Sequence, residues 1–159
     1  MISSRAIPYP LLPRQAHVAL PDRYLLLLAT VLAGYAIGSA GLAVLHVLSQ
    51  TTVRVTGAPH AGVYSVLLPP TLELMSPRAP EAIGRLAKAL GADAEDPAQA
   101  APLAAALAAH SGVTRLAEIG VKPDSFDDIV RVALGRRELR NTPQPPGKRE
   151  LHDLLQRAS

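Results

Sequence analysis

Two histidines, His46 and His60, stand fourteen positions apart in the stretch LHVLSQTTVRVTGAPHAG. Both have apolar neighbours, and the chain contains no cysteine. Imidazole nitrogen suits a divalent transition metal such as zinc or iron, so the pair reads as two ligands of one ion. It reads equally well as two neutral, hydrogen-bonded histidines in a hydrophobic core. Two nitrogens do not hold an ion firmly in an open catalytic site, which takes at least three protein ligands. For the two rings to meet, the helix carrying His46 should stop soon after it and residues 51–59 should turn back. His17, His110 and His152 sit in exposed-looking contexts and are expected to carry no chemistry.

The elements that position these residues are expected to be helical. Hydrophobic residues make up 48% of the 159 positions and aromatics only 3%, so the core must be built of Leu, Ala, Val and Ile. That composition suits helices better than a β-sandwich. The absence of cysteine excludes a disulfide framework and thiolate metal sites, and agrees with a cytoplasmic location. The formal net charge is +3. The basic residues near the C-terminus (Arg131, Arg136, Arg137, Arg140, Lys148, Arg149 and Arg157) are interleaved with acids and lack aromatics for base stacking, so no nucleic-acid surface is expected. Arg136 and Arg137 read as a solvated helix end. No Gly-rich strand–turn–helix fingerprint, P-loop or nucleophile elbow is present.

Residues 1–22, with four prolines and no helical period, read as an irregular Pro-rich arm rather than a signal peptide. Residues 24–53 contain no Asp, Glu, Lys or Arg. Length alone makes them a membrane-span candidate. His46, Ser49, Gln50, Thr51 and Thr52 would be costly to desolvate in lipid, so buried helices of a bundle are the favoured reading and no membrane partner is expected. Gly38-Ser39-Ala40-Gly41 is a candidate break. The β-branched run Thr51–Thr56 disfavours helix, and Gly57 and Pro59 stop one helix and start the next. HAGVYSVLLPPTLELM reads as a second apolar helix interrupted or kinked at Pro69-Pro70. An amphipathic helix follows, with Ile83, Leu86, Ala87 and Leu90 inward. Another begins at an Asp96 cap with Pro97 in its first turn and runs to about His110. A third has Asp124 or Ser125 as cap and Phe126, Ile129, Val130 and Ala133 buried. The last turns Leu151, Leu154 and Leu155 inward. The expected architecture is all-α, with six to eight helices joined by short Pro/Gly-rich loops.

LAGYAIGSAGLAVLHVLSQ, GAPHAGVYSVLLP, SPRAPEAIGRLAKALG, LAEIGVKPDSFDDIVRVAL and NTPQPPGKRELHDLLQRA occur in this order. Together they resemble the C-terminal helical domain of the iron-containing alcohol dehydrogenase family, closest to its maleylacetate reductase-like branch. The resemblance covers residues 23–158 and implies a helical bundle of the dehydroquinate synthase-like C-terminal type over 23–159. It implies a metal-dependent oxidoreductase that acts on CH–OH or C=C groups with NAD(P). An N-terminal domain would hold the nucleotide, and iron or zinc would sit on one Asp and three His. His46 and His60 match two of those ligand positions. Gln50 stands where a second His, one turn on, is frequent; an amide donates a hydrogen bond but does not relay a proton at neutral pH.

The nucleotide-binding domain and the other two ligands have no counterpart in this sequence, and neither Asp22 nor His17 replaces them. The expectation is therefore a C-terminal domain or truncated member, inactive as this chain alone. A separately encoded nucleotide-binding domain is the expected partner, and homodimerisation fits as well. The rival readings are a non-enzymatic helical interaction protein, and a small membrane protein anchored by residues 24–48.

Overall fold

The structure, a computed structural model, describes residues 23–159. The arm expected over 1–22, with His17 and Asp22, lies outside the described residues. Seven α-helices and four short 3-10 turns account for the regular structure, and no strand occurs among the described residues. The all-α expectation holds.

The chain divides into two units, with the boundary between Ser39 and Ala40. The first is dominated by α1 (Arg23–Ala40). Its 18 residues give a length of about 27 Å at the usual rise. Tyr24, Leu25, Leu27, Leu28, Val31, Leu32, Tyr35 and Ile37 are all exposed. By length and composition this helix could cross a membrane, though a core helix or a signal sequence passes the same test. The expectation of buried helices over 24–53 therefore fails for the first of them, while the break expected at 38–41 falls at 41–43. Gly41 adopts a left-handed φ of 75° and residues 41–43 are not helical, so the stretch is two helices and only the second is buried. The helix long and apolar enough to span is Arg23–Ala40, so the span expected over 24–48 ends earlier than expected.

The second unit holds the core. Helices α2 (Val44–Thr56), α3 (His60–Met75), α6 (Phe126–Leu134) and α7 (Lys148–Arg157) surround one apolar cluster, which includes Leu48, Val63, Leu67, Phe126, Ile129 and Leu154. Leu116, Val121 and Leu139 join it from the connecting segments. A smaller cluster lies between the end of α3, α4 (Pro80–Ala89) and α5 (Ala100–Ala109), and is made mostly of alanines. Small side chains let these helices approach closely. At Gly84 a Cβ would lie 2.6 Å from the backbone carbonyl oxygen of Glu95 in the loop after α4, so only glycine lets that loop pack against the helix.

Three local expectations change. The β-branched run Thr51–Thr56 does not end α2, which continues to Thr56 and stops at Gly57 in the left-handed conformation. Thr51 and Thr52 are buried, Thr52 Oγ1 donates to Leu48 O at 2.8 Å, and Thr56 Oγ1 donates to Thr52 O at 2.7 Å. Burial of this face outweighs a propensity loss of a few tenths of a kcal/mol per residue, on the order given by host–guest scales, and the back-bonds satisfy the Thr52 and Thr56 hydroxyls. Helix α3 likewise runs uninterrupted through Pro69 and Pro70, with Thr71 Oγ1 donating to Leu67 O at 2.6 Å one turn back. Leu86, expected inward, is exposed, because the buried stripe of α4 is Ile83, Gly84 and Ala87.

Two caps were only partly legible. Asp96 accepts from Ala98 N as expected, but Pro97–Gln99 is a 3-10 turn that leads into α5. Ser125 does not cap α6; its hydroxyl donates to Lys122 O at 2.6 Å. The buried faces of α6 and α7 are as expected: Phe126, Ile129, Val130 and Ala133 on one, Leu151, Leu154 and Leu155 on the other. Arg78, almost enclosed, bonds Glu150 and so ties the end of α3 to α7. That contact and the Gly147 backbone N–H hold the Glu150 carboxyl below its usual range, the backbone bond being the larger cause.

Candidate functional site

His46 lies in the first turn of α2 and His60 is the first residue of α3. The start of α2 has no local side-chain cap. Its orphan Val44 N–H instead donates to Thr142 Oγ1 at 2.9 Å, a buried bond to a residue 98 positions away. Asn141 Nδ2 adds a bond to Leu42 O at 2.9 Å. The Asn-Thr-Pro stretch before the last helix thus fixes where α2 begins, and with it His46. Replacing Thr142 by Val keeps the shape and removes the acceptor. The expected result is a loss of about 1–3 kcal/mol in urea unfolding, with the slope unchanged.

His60 is placed by the turn before it. Gly57 takes φ 74°, Thr56 Oγ1 accepts from Ala58 N at 3.2 Å, and Pro59 leads into the helix with ψ 126°. The connection is short, but α2 runs ten residues past His46, so the early stop expected after His46 does not occur.

Both histidines have Tyr64, one turn after His60 on α3, as a ring neighbour. Its ring centroid is 4.6 Å from that of His60 and 5.3 Å from that of His46, the latter pair edge-on at 75°. Burial pushes the Tyr64 phenol up, and the Arg136 charge partly offsets this, so the hydroxyl is protonated at neutral pH. Gln50, one turn after His46, accepts a hydrogen bond from Arg136 Nη1 at 3.0 Å through Oε1. Arg136 Nη2 and Nε in turn donate to Glu138 Oε1 and Oε2 at 2.6 and 3.5 Å. The Arg136 partner and its own backbone bond hold the Glu138 carboxyl below its usual range.

The structure therefore brings His46, Gln50 and His60 into one neighbourhood and adds Tyr64, Arg136 and Glu138. Arg136 is not the solvated helix end expected from sequence: it lies past Gly135, in extended backbone, and folds back onto α2, while Arg137 is exposed. Tyr64 had a usable signal, since it follows His60 by the same four residues that separate Gln50 from His46. Arg136 had none, being 86 positions from Gln50. His110 is exposed with Nδ1 3.0 Å from Ala106 O, and His152 packs edge-on against Phe126, so neither joins the site.

Among the described residues no group of three or more His, Cys, Asp or Glu side chains is arranged to hold a metal ion. Two imidazoles have the right donor chemistry but the wrong number, and the nearby tyrosine keeps its proton. The described residues do not by themselves fit a catalytic ion.

The geometry defines an all-α unit in which His46 and His60, from adjoining core helices, share Tyr64 as a ring neighbour. The pattern described as Fe-containing alcohol dehydrogenase family, C-terminal, matches residues 19–159. The chain belongs to that family and represents its C-terminal domain. It is 32% identical over 133 residues to maleylacetate reductase 1 of Rhodococcus opacus, covering 84% of this chain and 36% of that protein. It is 29% identical over 130 residues to the probable alcohol dehydrogenase EutG of Salmonella typhimurium, covering 81% and 33%. The crystal structure of a 1,3-propanediol oxidoreductase superposes with a TM-score of 0.77 at 22% identity, over 82% of this chain and 36% of that one, and supports the fold. The chain spans about a third of the length of the relatives it matches.

Proposed function

We propose that this chain is the helical domain of an NAD(P)-dependent, metal-dependent oxidoreductase of the maleylacetate reductase-like branch. In this reading His46 and His60 supply two ligands of an iron or zinc site. The nucleotide-binding part and the remaining Asp and His come from sequence outside these 159 residues, on another polypeptide or elsewhere on a longer one. The observation that carries the reading is that two histidines from separate helices share Tyr64 as a ring neighbour, in a chain that matches the family over nearly its whole length. Bound there, a divalent ion would polarise an alcohol or carbonyl oxygen. The relatives' descriptions as alcohol dehydrogenases and maleylacetate reductases favour a small alcohol, aldehyde or oxo acid as substrate; a cytoplasmic location and homodimerisation are proposed with this reading.

Residues 1–159 alone are expected to be inactive. Purified chain mixed with NADH and maleylacetate should show no oxidation at 340 nm above the blank, on the reasoning that the sequence carries no Gly-rich nucleotide-binding fingerprint or P-loop. Turnover by the pure chain would refute this.

A second reading is supported by α1, whose apolar side chains are exposed along its length. It makes the protein a helical interaction protein that docks through this helix, or anchors in lipid by it. Under the enzyme reading the chain stays in the supernatant of a detergent-free lysate after ultracentrifugation. Recovery only with detergent would favour the anchor, and large soluble assemblies in light scattering would favour docking.

A further inference from the structure

The two prolines inside α3 leave a gap in its hydrogen-bond ladder. Pro69 and Pro70 have no N–H, so the carbonyls of Ser65 and Val66 lose the donors that an α-helix supplies one turn on. Ser65, Val66 and Pro69 also line a groove of about 110 Å³ between α3 and α5. On the α5 side are Ala105, Ala108 and Ala109, whose methyl groups offer no donor in return. Thr114 lines the groove as well, but its N–H and hydroxyl donate to the Glu118 carboxyl at 2.8 and 3.3 Å. The backbone bond from Thr114 is the chief cause that holds this carboxyl below its usual range, so it is charged at neutral pH. Arg115, exposed, acts on the same carboxyl more weakly. The groove thus combines apolar walls, backbone acceptors and a neighbouring negative charge. A carbonyl without its donor is costly to desolvate, so a ligand that brings N–H groups is favoured over one that brings acceptors.

We propose that this groove binds a free short-chain primary ammonium ion, with its N–H groups on the Ser65 carbonyl and hydroxyl and its alkyl chain along Val66, Pro69 and the alanines of α5. A cation suits the Glu118 charge, and an ammonium brings three donors and no acceptor. The volume has room for roughly four or five heavy atoms. The site uses neither His46 nor His60 and does not depend on the oxidoreductase reading.

The experiment is an NMR titration of the full 159-residue chain, read at the backbone amides of Ser65, Val66, Ala105 and Ala108. The probes are n-butylammonium and tetramethylammonium chloride, cations of similar size of which only the first has N–H donors. Butylammonium should give saturable shifts with a Kd on the order of millimolar, and tetramethylammonium should bind roughly tenfold more weakly or not at all. Pro69→Ala returns an N–H to the Ser65 carbonyl and favours the helix, so the fold should persist while butylammonium affinity falls roughly tenfold or more. Ala105→Leu, at an exposed position of α5, should fill the groove and do the same. A lysine side chain carries the same head, so Nα-acetyl-lysine amide is the third probe and should bind more weakly for want of room. Absent or unsaturable shifts with butylammonium would overturn the proposal. So would tetramethylammonium binding equally well, or Pro69→Ala binding as tightly as wild type. Tighter binding of the lysine amide than of butylammonium would overturn the free-amine assignment in favour of a partner's lysine.

Discussion

Phe126→Ala is expected to cost about 3–5 kcal/mol of stability, the usual range for removing a buried aromatic ring. Phe126 is the only phenylalanine in the chain and is 2% exposed at the first turn of α6. Its ring meets His152 of α7 edge-on, with centroids 6.0 Å apart, and α6 also packs on α2, the helix of His46. The rest of this core is Val, Leu, Ile and Ala, so no second ring stands ready to fill the cavity. Domains of this size are stable by about 5–15 kcal/mol, so the variant should lose a large part of its margin. Denaturant titration followed by far-ultraviolet circular dichroism gives the midpoint. A midpoint within error of wild type would mean that the core does not depend on this ring.

The second large effect concerns metal. With two imidazoles and no third His, Cys, Asp or Glu in reach among the described residues, the isolated chain should not retain stoichiometric iron or zinc through gel filtration. Elemental analysis of the purified protein beside His46→Ala should find both low and alike. Near-stoichiometric metal in wild type that disappears in the variant would mean that the site is completed within these 159 residues. That outcome would move the missing ligands from another polypeptide segment to this chain or a second copy of it.

The legible part of this fold was the part carried by local pattern. Stripes on α6 and α7 fell where period 3.6 put them, and Asp96 capped as its position before Pro97 indicated. Local pattern failed where burial competed with propensity. Thr51 to Thr56 remained helical because Thr51 and Thr52 are enclosed, with the Thr52 and Thr56 hydroxyls satisfied by the preceding turn. Pro69 and Pro70 stayed within α3 for a related reason, with Pro70, Thr71 and Leu72 buried around them. The apolar run at the front misled in the opposite sense: composition cannot tell an enclosed helix from an exposed one, and α1 is exposed.

For the site, the sequence alone singled out two histidines fourteen positions apart and a glutamine one turn after the first; the tyrosine one turn after the second went unremarked until the structure set it against both rings. Those relations survive because they depend on helical spacing and on a short turn through Gly57 and Pro59. Tertiary structure decided the rest. Thr142 sets the start of α2 from 98 positions away, and Arg136 folds onto Gln50 across 86. Hydrogen bonds at such separations exist only once α2 and α6 have packed and the chain beyond α6 has closed back against α2. Nothing in the residues around either partner encodes that meeting, so the partner of the Gln50 amide was settled by packing and not by spacing.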